Sequence, residues 1–181
     1  MTTTPGEVLT FWFDGLEPAQ WFRKDPQLDA EIARRFGACL AVACRGELWR
    51  WRETPAGRLA EIIVLDQFSR NIHRDTPAAF AADPMALVLA QEAVARGDDA
   101  GLSPTRRAFL YMPFMHSESA VIHEQALRLF AQPGLEKSLH FERRHREIIL
   151  RFGRYPHRNA ILGRDSTPEE REFLTQPGSS F

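Results

Sequence analysis

Apolar residues along this chain recur at helical spacing. Leu28, Ile32, Phe36, Leu40 and Cys44 step by four between Pro26 and Gly46, and Leu59, Ile62, Ile63, Leu65, Phe68 and Ile72 follow Thr54-Pro55. At about 100° per residue each set falls on one side of a helix. Start signals frame them: Thr4-Pro5, Pro26, Thr54-Pro55, Asp83-Pro84, Ser103-Pro104 and the capping box Thr167-Pro168-Glu169-Glu170, with stops at Gly46, Gly97 and Gly153. Proline at a first helical position loses nothing, because that N–H has no intrahelical partner. No window alternates apolar and polar residues with β-branched enrichment, so the pattern predicts an all-α fold. Seven or eight helices, of roughly 8 to 18 residues and joined mostly by short turns, imply antiparallel neighbours.

The stretches differ in character. Val8, Leu9, Phe11, Trp12 and Phe13, with Trp21-Phe22, suit a short aromatic helix capping one end of a core. Residues 105–118 are apolar nearly all round and so central, and Pro113 predicts a kink that delivers His116, Ser117 and Glu118. Helices over residues 120–130 and 135–152 follow, then a loop from Arg154 to Arg164 and a last short helix to Leu174. Residues 175–181 are expected to fray.

Composition narrows the class. With 181 residues, 44% hydrophobic, the chain fits one domain spanning 1–181 that buries a core without disulfides. Cys39 and Cys44 have neither redox nor zinc spacing and read as small buried hydrophobes. A net charge of -1 argues against nucleic acid as a partner. No basic N-terminal region precedes an apolar run, and no apolar stretch approaches the roughly 18 residues of a membrane span, so a cytoplasmic protein without a membrane partner is expected. Among 23 basic residues only Lys24 and Lys137 are lysine. Positive charge therefore sits on guanidinium forks, which suit carboxylates and phosphates, although a compositional bias in the source produces the same skew.

Three polar clusters carry candidate chemistry. In Leu65 to Arg74, one face holds Asp66, Arg70 and His73 and another Gln67, Asn71 and Arg74; the plain reading is a solvated face with ion pairs such as Asp66 with Arg70. His116-Ser117-Glu118 suits acid–base or metal chemistry, or satisfies carbonyls left by the kink. Arg151, Arg154, His157, Arg158, Asn159 and Arg164 can grip an anion, or pair across the structure with Asp66 and Glu118. The familiar signatures are missing: His123-Glu124 is followed by Leu127 instead of a second histidine, and there is no GxxxxGK[ST], GxGxxG or GxSxG, so no cofactor is expected. Arg143, Arg144 and Arg146, flanked by Glu142 and Glu147, read as a solvated helix face.

Together Phe11-Trp12-Phe13, Trp21-Phe22 with Lys24-Asp25, Leu65-Asp-Gln-Phe with Arg70-Asn71-Ile72 and Arg74, Phe109-Leu-Tyr-Met-Pro-Phe, His116-Ser-Glu118, and Arg151 through Asn159 to Leu162-Gly-Arg164 resemble the bacterial family called domain of unknown function 924. The resemblance implies a tetratricopeptide-like α-α superhelix and no established activity. Its pattern has proline where this chain has Ser69 and usually an aromatic where it has His73, and it passes over His123. It retains Asp66, Gln67, Arg70, Asn71, Arg74, Arg154, Arg158 and Asn159 as ligand-binding candidates and His116, Glu118 and His157 as catalytic ones. The leading expectation is a binding protein whose arginines hold a small anionic ligand or an acidic peptide end. The alternatives are a hydrolase, with or without a metal, using His116, Glu118 or His157, and an ion-pair network that only locks a protein-interaction scaffold together.

Overall fold

The computed structural model describes residues 3–180, which form helices and turns with no strand among them. Helix α1 (Pro5–Leu9) opens on a capping box between Thr4 and Glu7 and runs into a π-helical turn, Thr10–Asp14. Helix α2 (Pro26–Cys44) begins where the Asp25 side chain accepts from the Gln27 and Leu28 amides. Helix α3 (Pro55–Ile63), capped by Thr54, continues through a second π turn, Val64–Phe68, into α4 (Ser69–Ile72). A 3-10 turn, Pro77–Phe80, leads to α5 (Asp83–Ala95), and α6 (Pro104–Met115), α7 (Ala120–Phe130), α8 (Glu136–Phe152) and α9 (Pro168–Leu174) complete the chain.

The run from α3 through the π turn to α4 is the axle of the molecule. It packs against α1, α2, α5 and α6, and Leu59, Ile62, Ile63, Leu65 and Phe68 are completely buried. Phe68 stacks on Phe36 at 4.7 Å and meets Trp12 edge-on at 5.6 Å, so the aromatic first helix caps this core. Burial of each such side chain contributes roughly 1.5–3 kcal/mol. A smaller cluster of Ile148, Ile149 and Tyr155, with Phe152 and Phe173 against it, anchors the C-terminal part.

Local details add to the picture. Helix α6 includes Pro113 and continues past it to Met115, and the His116 amide donates to the Met112 carbonyl at 3.0 Å. Cys39 is buried but Cys44 is exposed, because α2 ends there. The tail is tied down as far as it is described: Ser179 is buried and donates to the Leu174 carbonyl, and Arg144 donates to Gly178. Pro77–Ala95 is long and apolar enough to cross a membrane, at a mean hydropathy of 1.3; about a third of it is buried, with Ala86, Leu89, Ala90 and Ala93 packed into the core.

Candidate functional site

The π turn is what brings Asp66 inside. An extra residue in the turn breaks the 100° step, so Asp66, Gln67 and Asn71 are all buried where helical periodicity predicts a solvated face. Two carbonyls in this stretch find side-chain donors. Ser69 Oγ donates to the Leu65 carbonyl at 2.6 Å and Arg70 to the Asp66 carbonyl at 2.8 Å. The Asp66 carboxylate, 1% exposed, then faces the end of α6.

There it meets His116, whose Nδ1 lies 2.7 Å from Asp66 Oδ1; Gln67 Nε2 donates to Oδ2 at 2.6 Å, and an Arg70 nitrogen lies 3.1 Å from Oδ1. Burial alone raises an aspartate pKa, but His116, by its charge when protonated and by its hydrogen bond when neutral, together with Arg70 and Gln67, outweighs it and holds Asp66 ionised, well below the ordinary range. Burial, aided by Arg70 and opposed by Asp66, lowers the pKa of His116. At neutral pH the pair is therefore a carboxylate and a neutral imidazole. Nδ1 donates to Asp66, and Nε2 carries a lone pair. The His116 side chain keeps 17% of its surface exposed.

Arg70 grips Asp83, the first residue of α5, through two nitrogens at 2.8 and 2.9 Å. Arg158 reaches the same carboxylate only at 3.5 Å. Its guanidinium lies over the rings of Phe80 and Tyr155, 4.6 Å from each centroid, and the residue is 7% exposed. Among the described residues its side chain makes no hydrogen bond, and its Nε is buried with no partner. Burial and the neighbouring Arg70 lower its pKa, yet a guanidinium stays charged. A buried cation with unused donors is uncommon, since nearly all buried polar groups are bonded.

The family described as "Bacterial protein of unknown function (DUF924)" matches residues 8–178. The chain belongs to that family. A solved protein of unknown function from Agrobacterium tumefaciens is 41% identical, with a TM-score of 0.89 over 94% of this chain and 96% of that one. No curated protein matches.

Within this family member the candidate residues divide into three groups. Asp66, Gln67, Arg70 and His116 are in direct contact, and Arg158 joins them through Asp83, which it shares with Arg70. Asn71 and Arg74 both donate to Asp29 on α2, at 2.8 Å and at 2.6 and 2.7 Å, and tie two helices together. Glu118, Arg154 and Asn159 form a C-terminal clasp. Glu118 accepts from the Tyr155 amide at 2.7 Å and from Arg164 at 2.7 and 2.9 Å, while Arg154 forks onto Glu170 at 2.7 and 2.8 Å. Asn159 accepts from Arg164 and donates to Ser166. Gly153, left-handed at φ 70°, ends α8 and turns the chain into this segment.

His157 sits between recess and clasp, its ring 5.5 Å from Tyr155, with burial and then Arg158 pushing its pKa down to about 4. His123, outside the family pattern, is fully buried, with Nδ1 2.6 Å from Glu142 and Nε2 2.8 Å from the Ser117 carbonyl, a packing role. Among the described residues no three His, Cys, Asp or Glu side chains are placed to hold a metal ion. A cavity of about 780 Å³ lies between α1 and the start of α2, lined by Thr4, Glu7, Phe11, Glu31 and Arg35 among others and by none of the candidates. Sequence reasoning missed Asp29, Asp83, Phe80 and Glu170. Asp83 and Glu170 carried a signal, and in both cases it pointed to a helix start.

Proposed function

We propose that the protein binds a small oxyanion, a carboxylate or a phosphate, in the recess formed by Arg158, Arg70 and His116. One observation carries the reading: Arg158 is a buried guanidinium with no side-chain hydrogen bond, sharing its nearest carboxylate with Arg70. A planar fork with unused N–H groups is a ready receptor for an anion. Phe80 and Tyr155 hold its plane, so little side-chain freedom is lost on binding. This narrows the ligand set from eight residues to Asp66, Gln67, Arg70 and Arg158 with His116; Asn71, Arg74, Arg154 and Asn159 are spent on structural pairs. A tetratricopeptide-like stacking of helix pairs belongs to the same reading, supported by the packing of α5 on α6, α6 on α7 and α7 on α8, and a cytoplasmic setting is part of the proposal. Calorimetry against sulfate and a panel of phosphorylated and carboxylated metabolites tests it. Arg158→Met should weaken the best ligand at least tenfold, about 1.4 kcal/mol, and an unchanged affinity would rule the recess out.

A second reading, acid–base catalysis, is favoured by the Asp66–His116 pair. The buried carboxylate fixes the tautomer, leaving Nε2 as a base of the kind that activates water. Glu118 has no part in it, because its carboxylate is filled by Arg164 and Tyr155. Turnover of aryl esters or aryl phosphates that vanishes in His116→Asn would support this reading; turnover that survives would remove it.

A further inference from the structure

The charges of the recess add up to a constraint on how an anion enters. Arg70 and Arg158 are balanced by Asp66 and Asp83, and His116 is neutral, so the site holds no net positive charge. A bare oxyanion brought into it meets two carboxylates as well as two guanidiniums. An anionic oxygen that reaches His116 from the Arg70 side is repelled by the lone pair on Nε2. Asp66 fixes Nδ1 as the donor at 2.7 Å, so the imidazole cannot present a hydrogen to the ligand by changing tautomer. A proton added at Nε2 changes both facts together, supplying a donor and making the recess cationic.

We propose that the site takes up its oxyanion together with one proton, which resides on His116 Nε2. This rests on the reading that the Arg158 recess is the anion site. The proton has no better place in the surroundings. Asp66 and Asp83 are ion-paired carboxylates, Arg70 and Arg158 already carry their protons, and Glu118 is occupied by Arg164. On α8, His145 has its Nδ1 against the Phe141 carbonyl and is held neutral by burial. His157 lies beside Arg158 and Arg164, which oppose a further positive charge. The Tyr155 hydroxyl donates to the Met115 carbonyl at 2.6 Å. His123 also has a carboxylate in contact, Glu142 at 2.6 Å, but its Nε2 already lies against the Ser117 carbonyl, whereas His116 has Asp66 on Nδ1 to stabilise an imidazolium and an Nε2 left to take the proton.

Sulfate is the probe, because it does not titrate near neutrality. Calorimetry of the full chain at pH 8, in buffers of different ionisation enthalpy, should show uptake approaching one proton per sulfate. The affinity should fall by up to tenfold per pH unit between pH 7 and 9. His116→Asn should bind sulfate with no proton uptake and little pH dependence. If that variant does not fold, the nitrogen resonances of His116 in the unmodified protein give the same answer, since Nε2 should become protonated as sulfate is added at pH 8. Sulfate binding without proton uptake, or uptake that persists in His116→Asn, overturns the coupling and leaves the anion site standing. No sulfate binding between pH 6 and 8 overturns both.

Discussion

The recess around Arg158 and the C-terminal clasp use the same materials to opposite ends. In the clasp each carboxylate is filled. Glu118 takes two Arg164 nitrogens and the Tyr155 amide, and Glu170 takes two from Arg154 and the Thr167 amide. The Arg154 fork accordingly holds Glu170 down at about 2. Around Arg158 two guanidiniums lean on one aspartate, and the more deeply buried of them, Arg158, reaches it only at 3.5 Å and makes no side-chain hydrogen bond. A saturated pair is architecture, and an unsaturated buried cation is capacity for a ligand. Arginine content alone does not separate the two.

Acid should load both regions at once through the imidazoles packed around Tyr155, and this is the largest effect expected. Burial lowers the pKa of His145 to about 3 and of His157 to about 4, against 6.5 in the unfolded chain. A histidine that resists protonation when folded favours the unfolded state below its unfolded pKa. Stability should therefore be level above pH 6.5 and fall between 6.5 and 4, by several kcal/mol in all at up to ~1.4 kcal/mol per pH unit for each group. Urea denaturation at pH 7 and pH 4.5 measures it, and equal stabilities would show these rings to be better solvated than their packing indicates.

Glu118→Ala should come next. It takes the carboxylate from Arg164, which keeps Asn159 and the Tyr155 carbonyl as acceptors, and leaves the Tyr155 amide without an acceptor. Both partners keep about a quarter of their surface, so water recovers part of the loss. The expected cost is about 2–3 kcal/mol, below that of fully buried pairs, with sulfate affinity within twofold of the unmodified protein. Loss of binding with intact stability would reverse the assignment of the two regions.

Arg158→Met sharpens the contrast in the other direction. Removing a buried cation that pairs with Asp83 only at 3.5 Å, and keeping an unbranched side chain over Phe80 and Tyr155, should alter stability by less than about 1 kcal/mol. Sulfate binding should nonetheless fall at least tenfold. If stability instead drops as far as in Glu118→Ala, the Arg158–Asp83 contact is a structural pair, and the recess is a second clasp.

Much of this architecture is legible in the residues. Thr4, Asp25, Thr54, Ser103 and Thr167 cap helices that each begin with proline, and the apolar spacing from Leu28 to Leu40 and from Leu59 to Phe68 names the core. The site is less legible for two reasons. A π turn has no signature in a 100° rule, so Asp66 and Gln67 read as surface. Whether an arginine is satisfied depends on carboxylates far away in the chain: Asp29 for Arg74 and Glu118 for Arg164 lie 45 and 46 residues off. Arg154 and Arg158 are four apart and alike in sequence, and only the fold distinguishes them.

Ser69 offers the smallest and most local test of how the recess is held. Its hydroxyl donates to the Leu65 carbonyl and lies 3.2 Å from that of Ala79, stitching the π turn to the 3-10 turn that carries Phe80. Ser69→Ala should cost about 1 kcal/mol, seen as a fall in Tm of roughly 2–4 °C for a chain of this size. Asp66 keeps its contacts to His116, Gln67 and Arg70, none of which involves Ser69, so sulfate affinity should move less than twofold. A larger loss of affinity would mean that the position of Phe80, and with it the plane of Arg158, is set by this one hydroxyl.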